Sequence, residues 1–182
     1  MFHAPILNML LHKVVHEESG MSYGLSACGY DIRIAEDVSL PYLGEASYSS
    51  PFSLASAIEE FDVNSQIVGF VKDKSSWARQ GLSVFNTVIE PGWRGFLTLE
   101  LINNGPKRLN IKAGTPIAQV VFQFLDAPTI LPYTGKYQDQ QAGPQGYRKE
   151  STRTKCTICD TYDYCDDCIR PIKPKESTKC TD

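Results

Sequence analysis

The chain has 182 residues, 42% of them hydrophobic, and a net charge of -3, which suits one globular domain of ~150 residues with a tail and excludes a mostly disordered chain. The slight acidity argues against a nucleic-acid coat, which needs a basic surplus for phosphates, but not against a nucleotide site with a few local cations. No apolar run approaches the ~18 residues of a membrane span, and the start Met1-Phe2-His3-Ala4-Pro5 lacks a basic n-region, so neither a membrane partner nor a signal peptide is expected.

Of six cysteines, five follow residue 155 and only Cys28 lies in the body. That is no secreted disulfide framework, and a reducing cytoplasm is the expected compartment.

Residues 5–16 place Leu7, Leu10, Leu11 and Val14 at helical spacing, which predicts a short N-terminal amphipathic helix ended by Gly20. Residues 30–34 alternate apolar and polar, the pattern of a half-buried strand. Residues 38–65 carry Ser and Pro without a long period and read as irregular strand and loop, with a helical turn near 55–60. Strand-like runs then recur at 67–71, 82–84, 95–102, 108–111 and 116–124. Between them stand the turn signals Pro91-Gly92, Asn103-Asn104-Gly105-Pro106 and Ala113-Gly114. Short strands with regular turns predict a mainly β barrel or sandwich rather than a βαβ fold. After Leu131 the chain turns polar, and residues 150–182 hold few apolar side chains. The expected division is a 1–149 domain and a 150–182 cysteine-rich tail.

Lys74-Ser75-Ser76-Trp77-Ala78-Arg79 follows a strand and carries two residues of N-cap type, Ser75 and Ser76. Free backbone N–H groups, two hydroxyls and two cations in one corner would suit a phosphate. An ordinary capped turn with solvated charges is the other reading. Glu100 lies in Phe96-Leu97-Thr98-Leu99-Glu100-Leu101-Ile102, a strand too apolar for a solvated edge. Its carboxylate is either paired with a cation, Arg79 being the natural partner, or poised as a base with a raised pKa. Glu90, before the Pro91-Gly92 turn, could take a sugar hydroxyl or cap the turn. Tyr133, Lys136 and Gln140 lie in a polar segment that could close over a ligand or form a surface loop.

His16-Glu17-Glu18 fits the H-x-E of zinc-dependent cytidine deaminases. The nearest Cys-x-x-Cys is ~140 residues away in a polar tail, so that match is rejected, and His16 is placed instead at a helix C-terminus. In the tail, Cys156, Cys159, Cys165 and Cys168 form two Cys-x-x-Cys pairs with a five-residue spacer. Four thiolates suit tetrahedral zinc, while the short spacer and nearby aspartates suit a metal-free, thiol-rich tail.

Taken together, GLSACGYDIRI (24–34), KSSWARQGL (74–82), IEPGWRGFLTLE (89–100) with Asn103, and GKYQDQQ (135–141) resemble the dCTP deaminases of the dUTPase-like superfamily. The resemblance spans roughly residues 20–147, with the motifs in order. It implies a distorted β-barrel, a homotrimer with active sites shared between subunits, and zinc-independent hydrolysis of dCTP to dUTP and ammonia. It also implies magnesium accompanying the triphosphate. By the same resemblance Glu100 is the catalytic acid–base, with Ser75 and Arg79 as helpers at the reacting carbon. Lys74, Ser76, Tyr133, Lys136 and Gln140 match triphosphate contacts, Glu90 the contact to the sugar 3′-hydroxyl, and the backbone of Thr98 and Leu99 the contacts to the base. The stretch before Gly24 is shorter than usual for the family, and the cysteine-rich tail has no counterpart in it.

A dUTP pyrophosphatase, or a bifunctional enzyme giving dUMP, is the second reading. A dUTPase closes its site with an arm of the type RGxxGFGSTG, whereas this chain has GPQGYRKEST there, and Glu90 stands where an Asp is usual. A catalytically silent nucleotide sensor or metal-binding adaptor is the third; the intact set Ser75, Arg79 and Glu100 speaks against it.

Overall fold

A computed structural model describes residues 5–45 and 50–149, of which those up to Tyr147 form one compact unit. Eleven strands and one short helix make it up among the described residues. In chain order the elements are β1 (Lys13–Val15), β2 (Ser22–Leu25), β3 (Tyr30–Arg33), β4 (Val38–Leu40), β5 (Phe52–Asp62), β6 (Ile67–Asp73), α1 (Ser75–Ala78), β7 (Leu82–Val84), β8 (Val88–Ile89), β9 (Arg94–Asn103), β10 (Leu109–Ile111) and β11 (Pro116–Phe124). They form a six-stranded sheet in the order β1-β2-β3-β11-β6-β8, a three-stranded sheet β5-β9-β7, and the pair β10-β4. The fold is mainly β, as expected.

Long strands of β-branched and aromatic residues dominate the pairing. β11 is held between β3 and β6, both antiparallel, so the end of the chain's body completes the sheet begun near its start. The sheets share one core, in which Ile32, Ile34, Leu40, Phe61, Leu99, Leu101, Ile117 and Val120 are almost fully buried. Along β9 the burial alternates: Leu97, Leu99 and Leu101 face the core, and Phe96, Thr98 and Glu100 stand half-buried on the other face. This two-residue period puts Thr98 and Glu100 side by side.

Two expected helical pieces are strand or loop instead. Residues 5–16 form no helix. Ile6 bridges Phe61, Leu7 N donates to Glu60 O, Asp62 N donates to Pro5 O, and β1 pairs with β2. The apolar stripe was misleading because Leu7 and Leu11 are exposed, whereas Ile6, off the stripe, is buried beside the end of β5. His16 accordingly ends no helix; its Nδ1 lies 2.9 Å from Ser19 Oγ and accepts from Ser19 N in a turn.

The predicted turn at 55–60 lies inside β5. Its pairing with β9 shifts between Ser56↔Thr98 and Glu60↔Phe96. Three residues of β5 oppose one of β9 there, a bulge that breaks the alternation and made the stretch look irregular. Within it Ala57 bridges Ile34. Glu59 turns inward, fully buried, with Oε1 2.9 Å from Arg33 Nε and Oε2 accepting from Arg33 N. Burial raises the Glu59 pKa, and the hydrogen bonds from Arg33 oppose that rise.

Candidate active site

β9 forms one wall of a cleft of about 510 Å3. Thr98 and Glu100 project into it from β9, Asn86 and Val88 from the stretch after β7, Glu90 and Trp93 from the next turn, and Tyr133, Gln140 and Tyr147 from the segment after β11. A cleft of this size accommodates a small polar molecule.

Among the described residues Glu100 has no ionic partner, and burial alone raises its pKa above the ordinary glutamate value of 4.5. Desolvation disfavours the charged form of a carboxyl set among apolar neighbours. The cleft supplies them, with Phe52, Leu54, Val88 and Leu97 in its lining. A carboxyl shifted toward neutrality can both take and return a proton.

Glu90 precedes a tight turn in which Trp93 N donates to Glu90 O. Gly92 takes φ +87°, and a Cβ there would lie 2.6 Å from Pro132 Cβ. Turn and following segment are therefore pressed together. Tyr133 N donates to Pro91 O and Gln138 Nε2 to Gly92 O, while Trp93 Nε1 donates to Tyr137 O. Gln140 is 6% exposed; its Nε2 donates to Phe96 O and Thr98 Oγ1, and its carbonyl accepts from Phe96 N. Gln145 N also donates to Thr98 Oγ1. Residues 133–147 thus form a strap laid along β9. The Lys136 ammonium lies 5.3 Å from the Tyr137 ring and 4.9 Å from the Tyr147 ring, both part of the cleft wall. Tyr133 OH accepts from Tyr137 N.

The corner from Lys74 to Arg79 stands elsewhere. It lines no part of this cleft, so the expected Arg79–Glu100 pair does not form within one chain. Ser75, Ser76 and Arg79 are exposed. The N-cap of α1 is Lys74 rather than a serine, with no side-chain cap, and its carbonyl accepts from Trp77 N and Ala78 N. Trp77 anchors the turn, buried with Nε1 donating to Pro116 O at 2.8 Å. Lys74 Nζ lies 2.7 Å from Asp31 Oδ2, with both side chains largely buried. Gln119 Nε2 donates to the other oxygen of Asp31. An ammonium has three donors, so Lys74 keeps capacity for a further anion. The far end of the corner is clamped: a Cβ on Gly81 would lie 2.3 Å from Gly105 backbone, and one on Gly105 2.2 Å from Gln80 O. Buried Asn103 holds that turn by donating to Leu40 O and Lys107 O and accepting from Gly105 N.

Of the residues singled out from the sequence, Glu90, Thr98, Glu100, Tyr133 and Gln140 line one cleft. Asn86, Trp93, Tyr137, Gln145 and Tyr147 line it as well and are not among them. Antiparallel register between 82–84 and 95–102 was the signal for Asn86, since that pairing carries the next residues of the chain alongside Glu100. Cys156, Cys159, Cys165 and Cys168 lie outside the described residues. Among the described residues no group of three His, Cys, Asp or Glu could hold a metal, and no helix is long and apolar enough to cross a membrane.

A family model described as dCTP deaminase-like matches residues 46–125. A dCTP deaminase of Chlamydia muridarum is 34% identical over 155 residues, covering 70% of this chain and 82% of the relative. That of Campylobacter fetus is 32% identical over 164 residues, covering 75% and 88%, and that of Roseiflexus castenholzii 33% over 145 residues, covering 66% and 79%. Among solved structures, EIAV dUTPase superposes with a TM-score of 0.48 at 22% identity, covering 59% of this chain and 84% of that one. With identity sustained along most of each relative's length, the chain belongs to the dCTP deaminase family.

Proposed function

We propose that the protein hydrolyses the exocyclic amine of dCTP, giving dUTP and ammonia, with Glu100 as general base and then general acid. The observation that carries this reading is the place of Glu100, a carboxyl half-buried among apolar side chains in a cleft without an ionic partner, where burial raises its pKa. Glu100 takes a proton from water as the water oxygen bonds to carbon 4 of the pyrimidine. It returns the proton to the amino nitrogen as the carbon–nitrogen bond breaks and ammonia leaves. Such acid–base help is typically worth ~10²–10⁴-fold.

Glu90, at the cleft rim, suits the sugar hydroxyl. The base would lie against β9 at Thr98 and Leu99, beside Glu100. Tyr133 and Lys136 of the strap suit the triphosphate. Gln140 supports the same end of the site through Thr98, since its amide nitrogen is engaged there. Magnesium, when bound, neutralises charge on the triphosphate oxygens. The chain's own share is to hold those phosphates through its cations and hydroxyls.

Ser75, Ser76 and Arg79 are exposed and absent from the cleft that holds Glu100. This favours a homotrimer in which a neighbouring subunit brings that corner, with Lys74, to the cleft. Arg79 would then hold the geometry of Glu100, Ser75 would orient the water, and Lys74 and Ser76 would bind phosphate. The same proposal takes 1–149 as the enzyme domain in a cytoplasmic protein, and 150–182 as a tail whose zinc, if bound, sits on Cys156, Cys159, Cys165 and Cys168. Metal analysis of the full chain against a chain ending at 149 tests the zinc.

The deciding experiment incubates the protein with dCTP and magnesium and identifies the products. Ammonia with dUTP supports the proposal. Ammonia with dUMP and pyrophosphate supports the bifunctional reading, and dUTP hydrolysis without ammonia release overturns deamination.

A further inference from the structure

Pairing between β7 and β9 runs through Val84↔Leu101, and Phe85 N still donates to Glu100 O at 2.9 Å. A continuing antiparallel ladder would have Glu100 N donate to Phe85 O. Here the Asn86 side chain takes over. Its Oδ1 accepts from Glu100 N at 3.2 Å, and its Nδ2 donates to Thr98 O at 2.6 Å. One primary amide, with its donor and acceptor fixed side by side, thus replaces a strand residue against β9. It does so within the cleft wall, which Asn86 itself lines with Thr98 and Glu100.

The opposite edge of this segment is fixed by β5, through the register Leu54↔Glu100, Ala55↔Leu99 and Ser56↔Thr98. The amide therefore supplies the second edge. Without it the Glu100 peptide would be held on the β7 side only through its carbonyl. A small rotation there swings a long carboxyl arm, and a misplacement of about 1 Å at a reacting group can cost ~10²-fold.

We propose that Asn86 is a positioning residue for Glu100: its amide closes the edge of β9 beside the acid and so aims the carboxyl into the cleft. This rests on the reading of Glu100 as the acid–base group. The first test is Asn86→Ala in the full-length protein. We expect a fall of about tenfold to hundredfold in kcat with KM for dCTP little changed. The second is Asn86→Asp, which keeps the acceptor for Glu100 N but sets a second carboxylate beside Glu100. The acid limb of its pH–rate profile should move upward, a change that packing alone would not cause. The third measures amide exchange by NMR. In Asn86→Ala the Glu100 amide should exchange faster, while those of Leu99 and Leu101, on the β5 side, stay protected.

An unchanged kcat in Asn86→Ala, an unmoved acid limb in Asn86→Asp, or unchanged protection of the Glu100 amide overturns the proposal. Wild-type protein that releases no ammonia from dCTP overturns the deaminase reading instead, and amide exchange still decides whether the amide holds the strand.

Discussion

Gln140 Nε2 donates to Thr98 Oγ1 across 2.7 Å, which fastens the strap after β11 to the strand that carries Glu100. Replacing Gln140 by Ala takes this donor from the Phe96 carbonyl and from the Thr98 hydroxyl, which keeps only Gln145 N. Losing a buried partner costs about 1–3 kcal/mol, so the strap should open more often. We expect residues 133–147 to become protease-sensitive and kcat/KM for dCTP to fall by roughly tenfold, since each 1.36 kcal/mol is a factor of ten. An unaltered digestion pattern with unaltered kinetics would show that the strap is held by its other contacts.

Glu100→Gln should abolish turnover while leaving dCTP binding measurable by calorimetry. In the wild type the acid limb of kcat/KM should lie above 4.5, because burial raises the Glu100 pKa and the base must be ionised to act. The stability sign follows from the same shift. A folded-state pKa above the unfolded one contributes stability below the unfolded value, and that contribution is lost as pH rises through the folded pKa. Glu100→Gln should therefore be at least as stable as wild type at neutral pH, with its advantage vanishing below 4.5. Urea titrations at the two pH values check this.

Mixing two inactive proteins tests the shared site. Glu100→Gln keeps a sound α1 corner, and Arg79→Ala keeps a sound cleft. If each site joins one subunit's cleft to another's corner, unfolding and refolding a mixture should restore part of the dCTP deaminase activity. Each variant refolded alone should stay inactive. No recovery in a mixture shown by mass to contain hybrid oligomers would place both groups on one chain's site.

Glu59 lies fully buried against Arg33 inside the β5 bulge. Arg33→Met removes the cation and leaves a carboxylate buried without its counter-charge, which costs about 3–5 kcal/mol. The raised Glu59 pKa would rise further, so the loss should be largest at neutral pH. It should shrink below 4.5, where Glu59 is protonated in both folded and unfolded chains. Melting curves across that pH range check the sign; a deficit independent of pH would mean that lost packing on the Tyr23 ring dominates.

Much of this was legible in the sequence because β-strands announce themselves locally. The period in Phe96–Ile102 put Thr98 and Glu100 on one face before any pairing was known, and the Pro91-Gly92 turn set Glu90 nearby. The failures share a cause. Leu7, Leu10, Leu11 and Val14 follow a helical period, yet Ile6 pairs with Phe61, a partner 55 positions away that no local pattern contains. The bulge around Ala57 erased the alternation that would have marked β5. The Asn86 amide escapes a local reading because its contacts depend on register between two strands, and no motif tells whether Arg79 meets Glu100 within one chain or between two.

The two glycines that touch at Gly81 and Gly105 carry a cost for evolution of this enzyme. They join the exit of α1 to the 103–107 turn with no side chain between them, so that turn cannot lengthen without pushing the exposed serines and arginine outward. If sites are shared between subunits as proposed, a one-residue insertion there would leave Glu100 and the cleft of its own chain untouched and still spoil the chemistry in a neighbour, through the displaced Ser75 and Arg79.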